Sequence, residues 1–393
     1  MSSTGFVGTD DVEDLMARKR RMAEEGRVTA HVEFHLSDLD LEMIRSVPPG
    51  GSWKDIPLET VAKSRRLTSI TRNGGRTTLY GRLDYNKPSY TITTLFNRPG
   101  NGTFVHPVHD RVITPREAAR LQGFPDSYIF AGPKTRMLKQ IGNAVPPILA
   151  REIAARIICE TGMRRTAGLF SGAGGLSLGF RTAGAESCIE TDIEPLACAT
   201  LKANAPDVPV LCADITDEGA KALIAGRMAE EDAEIICGGP PCQGFSLAGK
   251  RREDDPRNSL FRHYAQIVSS TEPEVVVFEN VIGLLSMSGG QTYRDVLAAF
   301  AGIGYDVEGR VLDASDYGTP QRRRRVIVIG TKRGSGIAPG DLFPAPTTLD
   351  EEDKVTVRDA ISDLEDVPCM EGAEYGRCGA LSAYAESMRS TCD

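Results

Sequence analysis

The feature that most constrains the fold is a regular alternation of strand-like and helix-like segments between residues 164 and 331. Short apolar runs such as "AEIICGG" and "EVVVFEN" are rich in β-branched residues, and helix-like stretches of about ten residues separate them. Strands that are buried on both faces read as continuous apolar runs of this kind. The pattern therefore predicts an α/β fold with a doubly wound, mostly parallel sheet that is covered by helices on both faces.

The segments on either side of this alternating region have a different composition and contain more turn-forming residues. Turn pairs such as "PPGG" and "NGG" and a β-rich run, "YTITTLF" at 90–96, predict a second, smaller, irregular and β-rich domain. Residues 10–26 are typical of a charged helix, and a solvated extension is the favoured interpretation. We therefore divide the chain into three parts. Residues 1–26 are a charged extension, residues 27–130 form a small domain that residues 346–393 complete, and residues 131–345 form a catalytic cofactor-binding domain.

The composition excludes several classes of protein. No stretch of the 393 residues approaches the ~18 apolar residues of a membrane span, and the first 26 residues have no apolar signal-peptide core, so we expect a cytoplasmic protein without membrane contact. Nine cysteines without a CxxC pair predict neither a zinc site nor a disulfide framework, and we expect no metal.

The charge is acidic overall but locally basic. A net charge of −8 argues against a protein that coats nucleic acid through bulk charge. Basic clusters nevertheless occur, and each is either a solvated face or part of a local cleft: "RKRR" at 18–21, "KSRR" at 63–66, "KRR" at 250–252 and "RRRR" at 322–325.

A glycine-rich turn follows the first strand of the alternating region. In "LFSGAGGLSLGF", Gly172, Gly174 and Gly175 allow a tight turn and a close approach of a ligand to the backbone. The loop by itself fits either a nucleotide-like ligand or a plain turn. Asp192 and Asp214 end the next two strands, so all three strand ends meet at one edge of the sheet. Each aspartate alone could be a helix cap, but together with the glycines they indicate an adenosine-type ligand.

Two reactive side chains follow later strands. Cys242 comes after two prolines in "IICGGPPCQGFS" and is either a candidate nucleophile or a buried structural thiol. Glu279 directly follows an apolar run and is either a cap or a functional acid. In "QRRRRVIVIG", strand alternation sends Arg323 and Arg325 to the side opposite their neighbours.

These segments together resemble the DNA (cytosine-5)-methyltransferase family over roughly residues 30–335 and part of the tail. The matching stretches are "GLFSGAGGLSLGF", "CADI", "GGPPCQGFS", "FENVIGLL", "YGTPQRRRR", "RVITPREAARLQGFPD" and "QIGNAVPPILA". The resemblance implies a Rossmann-like methyltransferase domain that uses S-adenosyl-L-methionine, together with a target-recognition domain.

The resemblance also implies a mechanism. Cys242 would attack carbon 6 of a flipped-out cytosine, so that carbon 5 becomes nucleophilic and takes the methyl group. Glu279 would bond ring nitrogen 3 and the exocyclic amine. Arg325 and Arg323 would hold the ring carbonyl and the geometry of Cys242 and Glu279.

Further roles follow from the same resemblance. The implied cofactor-binding residues are Phe170, Gly172, Gly174, Gly175, Asp192, Ile193, Asp214, Ile215, Pro240, Asn143 and Ala144. The implied DNA-binding residues are Ser246, Lys250, Arg251, Arg252, Gln321, Arg72 and Arg76. The loop 246–258 would close on the DNA. Base-reading residues fall within 50–85, among Arg65, Arg66, Arg72, Asn73 and Arg76, and the sequence does not choose among them.

The order of the motifs departs from that of most members. The stretches "REAARLQGFP" and "GNAVPP" precede the glycine loop, whereas they come last in most members, so the chain resembles a circularly permuted form. We therefore expect 346–393 and 27–110 to fold together. The resemblance implies a bacterial, nucleoid-associated monomer that acts on double-stranded DNA. It would act either in a restriction-modification system, with a cognate restriction endonuclease as a further partner, or as an orphan methylase.

Three alternatives stay open at the level of sequence. An RNA cytosine methyltransferase of the same fold is the nearest one. An inactive DNA-binding relative is disfavoured because Cys242, Glu279, Gln321 and Arg325 are all present. A nicotinamide dehydrogenase would explain the glycine loop but not the thiol.

Overall fold

The computed structural model describes residues 9–241, 260–376 and 380–390. In chain order the helices are α1 (Thr9–Glu24), α2 (Asp38–Arg45), α3 (Leu58–Ala62), α4 (Arg65–Asn73), α5 (Pro115–Gln122), α6 (Lys134–Asn143), α7 (Pro147–Thr161), α8 (Gly175–Thr182), α9 (Pro195–Asn204), α10 (Glu218–Glu230), α11 (Leu260–Thr271), α12 (Gln291–Gly302), α13 (Val357–Ile361) and α14 (Ala383–Arg389). The strands are β1 (Arg27–Val28), β2 (Gly81–Arg82), β3 (Thr103–Val105), β4 (Arg165–Leu169), β5 (Glu186–Asp192), β6 (Val210–Cys212), β7 (Ile235–Gly238), β8 (Val275–Val281), β9 (Tyr305–Asp313), β10 (Arg324–Lys332) and β11 (Ala373–Glu374).

The chain divides into two compact units. The first comprises the described residues of Met1–Asn143, Gly318–Arg322 and Asp350–Asp393, and the second comprises those of Ala144–Tyr317 and Arg323–Leu349. The division of function that the sequence suggested, with target recognition in 27–130 plus 346–393 and catalysis in 131–345, stays a prediction.

The second unit is built on one sheet, which has seven strands within the described residues. The strand order is β6-β5-β4-β7-β8-β10-β9. β10 runs antiparallel to both of its neighbours, and the other pairs are parallel. The chain order reverses between β4 and β7, which is where open α/β sheets form a ligand crevice. The predicted α/β class with a mostly parallel sheet is confirmed.

Alternate residues of the central strands enter two separate cores. Ile236, Val276 and Phe278 pack on one face of the sheet, in a cluster with residues of α10, α11 and α12. Ile235 and Val277 pack on the opposite face, in a cluster with residues of α7 and α8. This burial on both faces explains why the strands read as continuous apolar runs rather than as alternating ones.

The helix that leads into this sheet ends as its sequence predicts. α7 covers the predicted residues 147–161, begins with Pro147 at its first turn and ends at Gly162, which has φ +73°. A glycine accepts this left-handed conformation without strain, so it terminates the helix. β4 begins three residues later, at Arg165.

The first unit contains less strand than the sequence suggested. Residues 90–96, all of which the structure describes, form no strand beyond the bridge between Ser89 and Gln321 next to them. The backbone N–H of Ile92 donates instead to Gln321 Oε1 at 2.9 Å. The β-rich expectation for this segment is therefore wrong, and at Ile92 a side chain supplies the partner that a neighbouring strand would otherwise supply.

The prediction that the N-terminal extension is solvated is wrong for one side of the helix. α1 is helical as expected, but Met16 and Lys19 are buried. Lys19 Nζ donates to Phe130 O at 3.0 Å, so its charged end is satisfied within the first unit. The charged composition of α1 concealed this buried side.

Buried arginines connect distant parts of the first unit. Arg120 is fully buried and forms ion pairs with Asp126 at 2.6 Å and with Asp363 at 2.5 Å. The short strands β1 and β11 pair, with Val28 opposite Ala373. Segments that are far apart in sequence therefore share one core. None of the helices in the described part of the chain combines the length and the apolar character needed to cross a bilayer.

Candidate active site

The glycine turn after β4 forms an open cradle at the switch point of the sheet. Gly172 has φ +55° and Gly174, which caps α8, has φ +78°. Phe170 also has a positive φ, +53°, which is unusual for a residue with a side chain. A Cβ built on Gly172 meets no atom within 4 Å, so the turn borders open space at this residue.

Asp192 is fixed beside this turn at the end of β5. Its carboxylate accepts from the backbone N–H groups of Gly172 and Glu194, both at 2.8 Å. Burial raises the pKa of Asp192, and the two backbone donors oppose that shift. The next residue, Ile193, is 60% exposed. The crevice thus presents an oriented carboxylate next to an exposed apolar side chain.

The end of β6 contributes a second carboxylate. Asp214 is exposed and accepts from the backbone N–H of Thr216 at 2.9 Å, and this hydrogen bond lowers its pKa. Asp214 does not cap α10, because Asp217 does so by accepting from Ala220 N. The side chain of Ile215 is buried in the core, so only its backbone remains to contact a ligand.

Glu190 is a site residue that the sequence reasoning missed. It is buried in β5, and Oε2 accepts from the hydroxyls of Ser171 and Ser177, each at 2.6 Å. A Cβ on Gly168 would lie 2.0 Å from the same oxygen. Glu190 thus stabilises the glycine turn through these two hydroxyl groups. The sequence signal that could have identified it is a carboxylate inside a buried strand, two residues before Asp192.

The segment after β7 reaches the same edge of the sheet. A Cβ on Gly238 would lie 2.2 Å from Leu169 O, so this position needs glycine for strand packing. Asn280 Nδ2 donates to Pro240 O at 3.2 Å and holds the start of the proline segment. Asn280 was not among the predicted site residues, although it lies in the "FENV" motif.

Several predicted residues follow this segment and lie outside the residues that the structure describes. They are Cys242, Ser246, Lys250, Arg251 and Arg252. Their proposed roles rest on the sequence.

A buried ion pair lies beside the proline segment. Arg325 Nε is 2.8 Å from Glu279 Oε1, and both side chains are about nine-tenths buried. The other carboxylate oxygen, Oε2, would lie 2.6 Å from a Cβ on Gly239. Burial raises the pKa of Glu279. The positive charges of Arg325 and Arg323 lower it by a smaller amount, so the net shift is upward. The arrangement can present either a carboxylate or a protonated acid.

The alternation predicted for the four arginines is present. Arg323 and Arg325 are buried, whereas Arg322 and Arg324 are exposed. Arg323 donates from Nη2 to Ala144 O at 2.9 Å. Arg323 therefore fixes the backbone of Ala144, a predicted cofactor-binding residue, and its assignment to the cytosine ring stays a prediction.

Four of the predicted site residues belong to the first unit. Arg72, Arg76 and Asn143 are exposed. Gln321 is fully buried, and Nε2 donates to Leu121 O at 3.1 Å and to Gln122 Oε1. The structure thus gives Gln321 an internal structural role rather than an exposed position for DNA contact.

The described residues contain no group of three or more His, Cys, Asp or Glu side chains placed to hold a metal ion.

Curated proteins that are similar in sequence to this chain include type II methyltransferases. The type II methyltransferase M.XorII of Xanthomonas oryzae pv. oryzae is 42% identical over 233 residues, which are 56% of this chain and 53% of the relative. The type II methyltransferase M1.HphI of Haemophilus parahaemolyticus is 42% identical over 196 residues, 49% and 50% of the two chains. The chain thus spans about half the length of these curated relatives.

A solved structure of a candidate DNA modification methyltransferase encoded within an E. coli prophage is 33% identical and has a TM-score of 0.44, over 52% of this chain and 56% of that chain. Residues 10–159 and 164–388 match the family model described as C-5 cytosine-specific DNA methylase. The match covers nearly all of the sequence, and the chain therefore belongs to the C-5 cytosine-specific DNA methylase family.

Proposed function

We propose that this protein transfers a methyl group from S-adenosyl-L-methionine to carbon 5 of a cytosine in a specific short sequence of double-stranded DNA. The observation that carries the proposal is the Glu279–Arg325 pair. One oxygen of Glu279 binds Arg325, and the other is directed at Gly239, three residues before Cys242. In the resemblance this acid acts together with the cysteine of the Pro-Pro-Cys motif, which is present in the sequence as Cys242.

The crevice at the ends of β4 and β5 fits the cofactor. Asp192 already accepts two backbone hydrogen bonds, and a carboxylate has about four acceptor positions, so two remain for ribose hydroxyls. Ile193 offers exposed apolar surface for a purine ring. The bound cofactor would supply an electrophilic methyl group. Phe170, Gly172, Gly174, Gly175, Asp214, Ile215, Pro240 and Ala144 would complete its site, and the cofactor role of Asn143 rests on the sequence resemblance alone.

Glu279 would act on the pyrimidine ring. Attack of the Cys242 thiolate on carbon 6 places negative charge on the ring, and a proton at ring nitrogen 3 neutralises that charge. Because burial raises the pKa of Glu279, its carboxyl group holds a proton more readily than an exposed glutamate does. Arg325 would keep Oε1 in place while Oε2 faces the base.

The target base must leave the duplex to reach this acid, so we include base flipping in the proposal. We also retain the permuted motif order. Two observations support it. The family model matches the chain in two stretches, which are separated at residues 160–163. Only three residues connect the end of α7 to the start of β4. A cognate restriction endonuclease and a monomeric state remain part of the proposal.

The test is base-resolution bisulfite sequencing of unmethylated plasmid DNA after incubation with the protein and S-adenosyl-L-methionine. Protected cytosines in one short repeated context support the proposal and supply the recognition sequence. Cys242→Ala should abolish protection and leave DNA binding intact. Protection by Cys242→Ala would refute the covalent step. Transfer to tRNA with no protected plasmid cytosine would refute the DNA substrate.

A further inference from the structure

Helix α4 turns a basic polar face away from the core of the first unit. Ser64 caps the helix by accepting from Leu67 N at 3.2 Å. Leu67 is fully buried against Met43 and Val61, and Ile70 packs beside it. These apolar contacts fix the orientation of the helix, so the residues on its opposite side keep a defined direction.

That opposite side carries arginines without partners among the described residues. Arg65, Ser69 and Arg72 are exposed, and their spacing of four and three residues places them on one face. The guanidinium groups of Arg65 and Arg72 make no hydrogen bond or ion pair with any other described residue. The neighbouring cations differ, since Lys63 binds Glu42 at 2.6 Å and Arg66 donates to Gly100 O at 2.5 Å.

The face also has a suitable shape and charge. A shallow groove runs along it, and the helix sequence "RRLTSITRN" contains no acidic residue. The residues that line the groove are Ala62, Lys63, Arg65, Thr68, Ser69, Arg72 and Asn73. Arginine and asparagine are the side chains that pair with guanine and adenine edges in the major groove, and that groove admits one α-helix.

We infer that α4 is the base-reading helix of this protein and that Arg65 and Arg72 each bind a guanine of the recognition sequence. The inference rests on the proposed function and deepens it. Seven residues at about 1.5 Å each separate the two arginines by roughly 10 Å. Base pairs are about 3.4 Å apart, so the two guanines lie about three steps apart.

The test measures binding rather than methylation, by fluorescence anisotropy with duplexes that carry the recognition sequence or one substituted base pair. The sequence comes from bisulfite mapping or from selection on random duplexes. Arg65→Gln and Arg72→Gln should each lower discrimination at one position by roughly 5- to 150-fold, at positions about three base pairs apart. Arg18→Gln, at an exposed arginine of α1, is the matched control and should bind like the wild type.

Several results would overturn the inference. Unchanged discrimination in both variants would exclude base reading by α4. Equal weakening on every duplex, with a salt slope lower by about one, would mean that the arginines contact only phosphates. Absence of sequence-specific binding by the wild type would also overturn it. Specific binding through α4 without methylation would preserve the inference and refute the proposed reaction instead.

An independent observation concerns two thiols beside Asp192. Cys198 on α9 is buried, and its Sγ donates to Asp192 O at 3.4 Å. Cys212 ends β6, is exposed, and its Sγ is 3.9 Å from Ile193 O. The two carbonyls that these thiols approach belong to consecutive residues, and burial raises the pKa of Cys198, with neighbouring Cys212 acting in the same direction. Both thiols thus converge on the turn that carries Asp192 and Ile193.

We propose that hydrogen peroxide joins Cys198 and Cys212 in a disulfide that weakens cofactor binding. The exposed Cys212 thiol would react first and form a sulfenic acid, with release of one water. The Cys198 sulfur would then attack that sulfur, and a second water would leave as the S–S bond forms. Both S–H donors to the 192–193 turn are lost in this step. The proposal depends on the cofactor site but not on the identity of the nucleic acid.

The test combines peptide mass spectrometry with calorimetric binding of S-adenosyl-L-homocysteine. Peroxide should yield a 198–212 cross-link two hydrogens lighter than the thiols and weaken binding roughly tenfold, and dithiothreitol should reverse both changes. Cys212→Ser should not respond, whereas Cys159→Ser, at an exposed cysteine of α7, should respond like the wild type. A missing cross-link, or a cross-link with unchanged affinity, would overturn the proposal. Failure of the reduced protein to bind would refute the cofactor assignment itself.

Discussion

Substitution of Gly239 by alanine tests whether the position of Glu279 governs the reaction. The backbone of Gly239 is not in the left-handed region, so alanine is conformationally allowed there. The new methyl group would lie 2.6 Å from Glu279 Oε2, whereas an ordinary contact is 3.4 Å or more. Either the carboxylate or the proline segment must therefore move by about 0.8 Å.

The expected effect is on rate rather than on folding. Displacement of a catalytic group by about 1 Å can cost about 10²-fold in rate, which corresponds to about 2.7 kcal/mol in activation free energy. If the carboxylate moves, its 2.8 Å contact with Arg325 lengthens at the same time. We therefore expect a single-turnover methyl-transfer rate about 10²-fold below that of the wild type when S-adenosyl-L-methionine is saturating.

The assay follows transfer of a labelled methyl group to plasmid DNA under single-turnover conditions. Gly226→Ala is the matched control, because its Cβ meets no atom within 4 Å and alanine favours the interior of α10. Glu279→Gln keeps the shape of the side chain without its charge and should lose at least as much activity. A Gly239→Ala rate within a few-fold of the wild type would refute the role of Glu279 as a positioned acid.

Three further predictions concern stability. Gly168→Ala should destabilise the second unit by about 1–3 kcal/mol in urea unfolding, because its Cβ would lie 2.0 Å from the buried Glu190 carboxylate; an unchanged midpoint would contradict this. Burial raises the pKa of Glu190, so its contribution to stability is full below its ordinary pKa and falls as the pH rises through the higher folded value. The melting temperature of Glu190→Gln minus that of the wild type should therefore increase as the pH rises above the ordinary glutamate pKa, and a constant difference would refute the shift. Burial raises the pKa of Glu117, but Arg111 at 2.7 Å outweighs it and holds that pKa well below the ordinary range. Its contribution is present above the ordinary pKa and lost as the pH falls toward the folded value, so the wild type should lose stability more steeply than Glu117→Gln between about pH 5 and about pH 2.

The sequence predicted those features that depend on local patterns. The α/β class followed from apolar runs, because strands buried on both faces place successive residues in two cores, as Ile235 and Ile236 are. The boundaries of α7 followed from Pro147 and Gly162, which act within one helical turn. The positive φ of Gly172 and Gly174 likewise depends on the glycines themselves.

The sequence could not predict features that depend on distant partners. Gln321 carries the amide typical of a polar contact residue, yet it binds Leu121 O, 200 residues away. Lys19 lies in a charged helix, yet its Nζ reaches Phe130 O. No local pattern encodes such contacts, because they arise only when the chain brings remote segments together.

The sequence by itself thus determined the sheet, the glycine turn, and the residue types of the candidate site. The tertiary structure alone decided how those residues are used. It directed one oxygen of Glu279 at Arg325 and the other at Gly239, placed Glu190 beneath the glycine turn, and left Arg65 and Arg72 exposed on α4. The physical reason is that residue type and spacing fix short-range conformation, whereas burial, ion pairing and pKa depend on neighbours supplied by the folded chain.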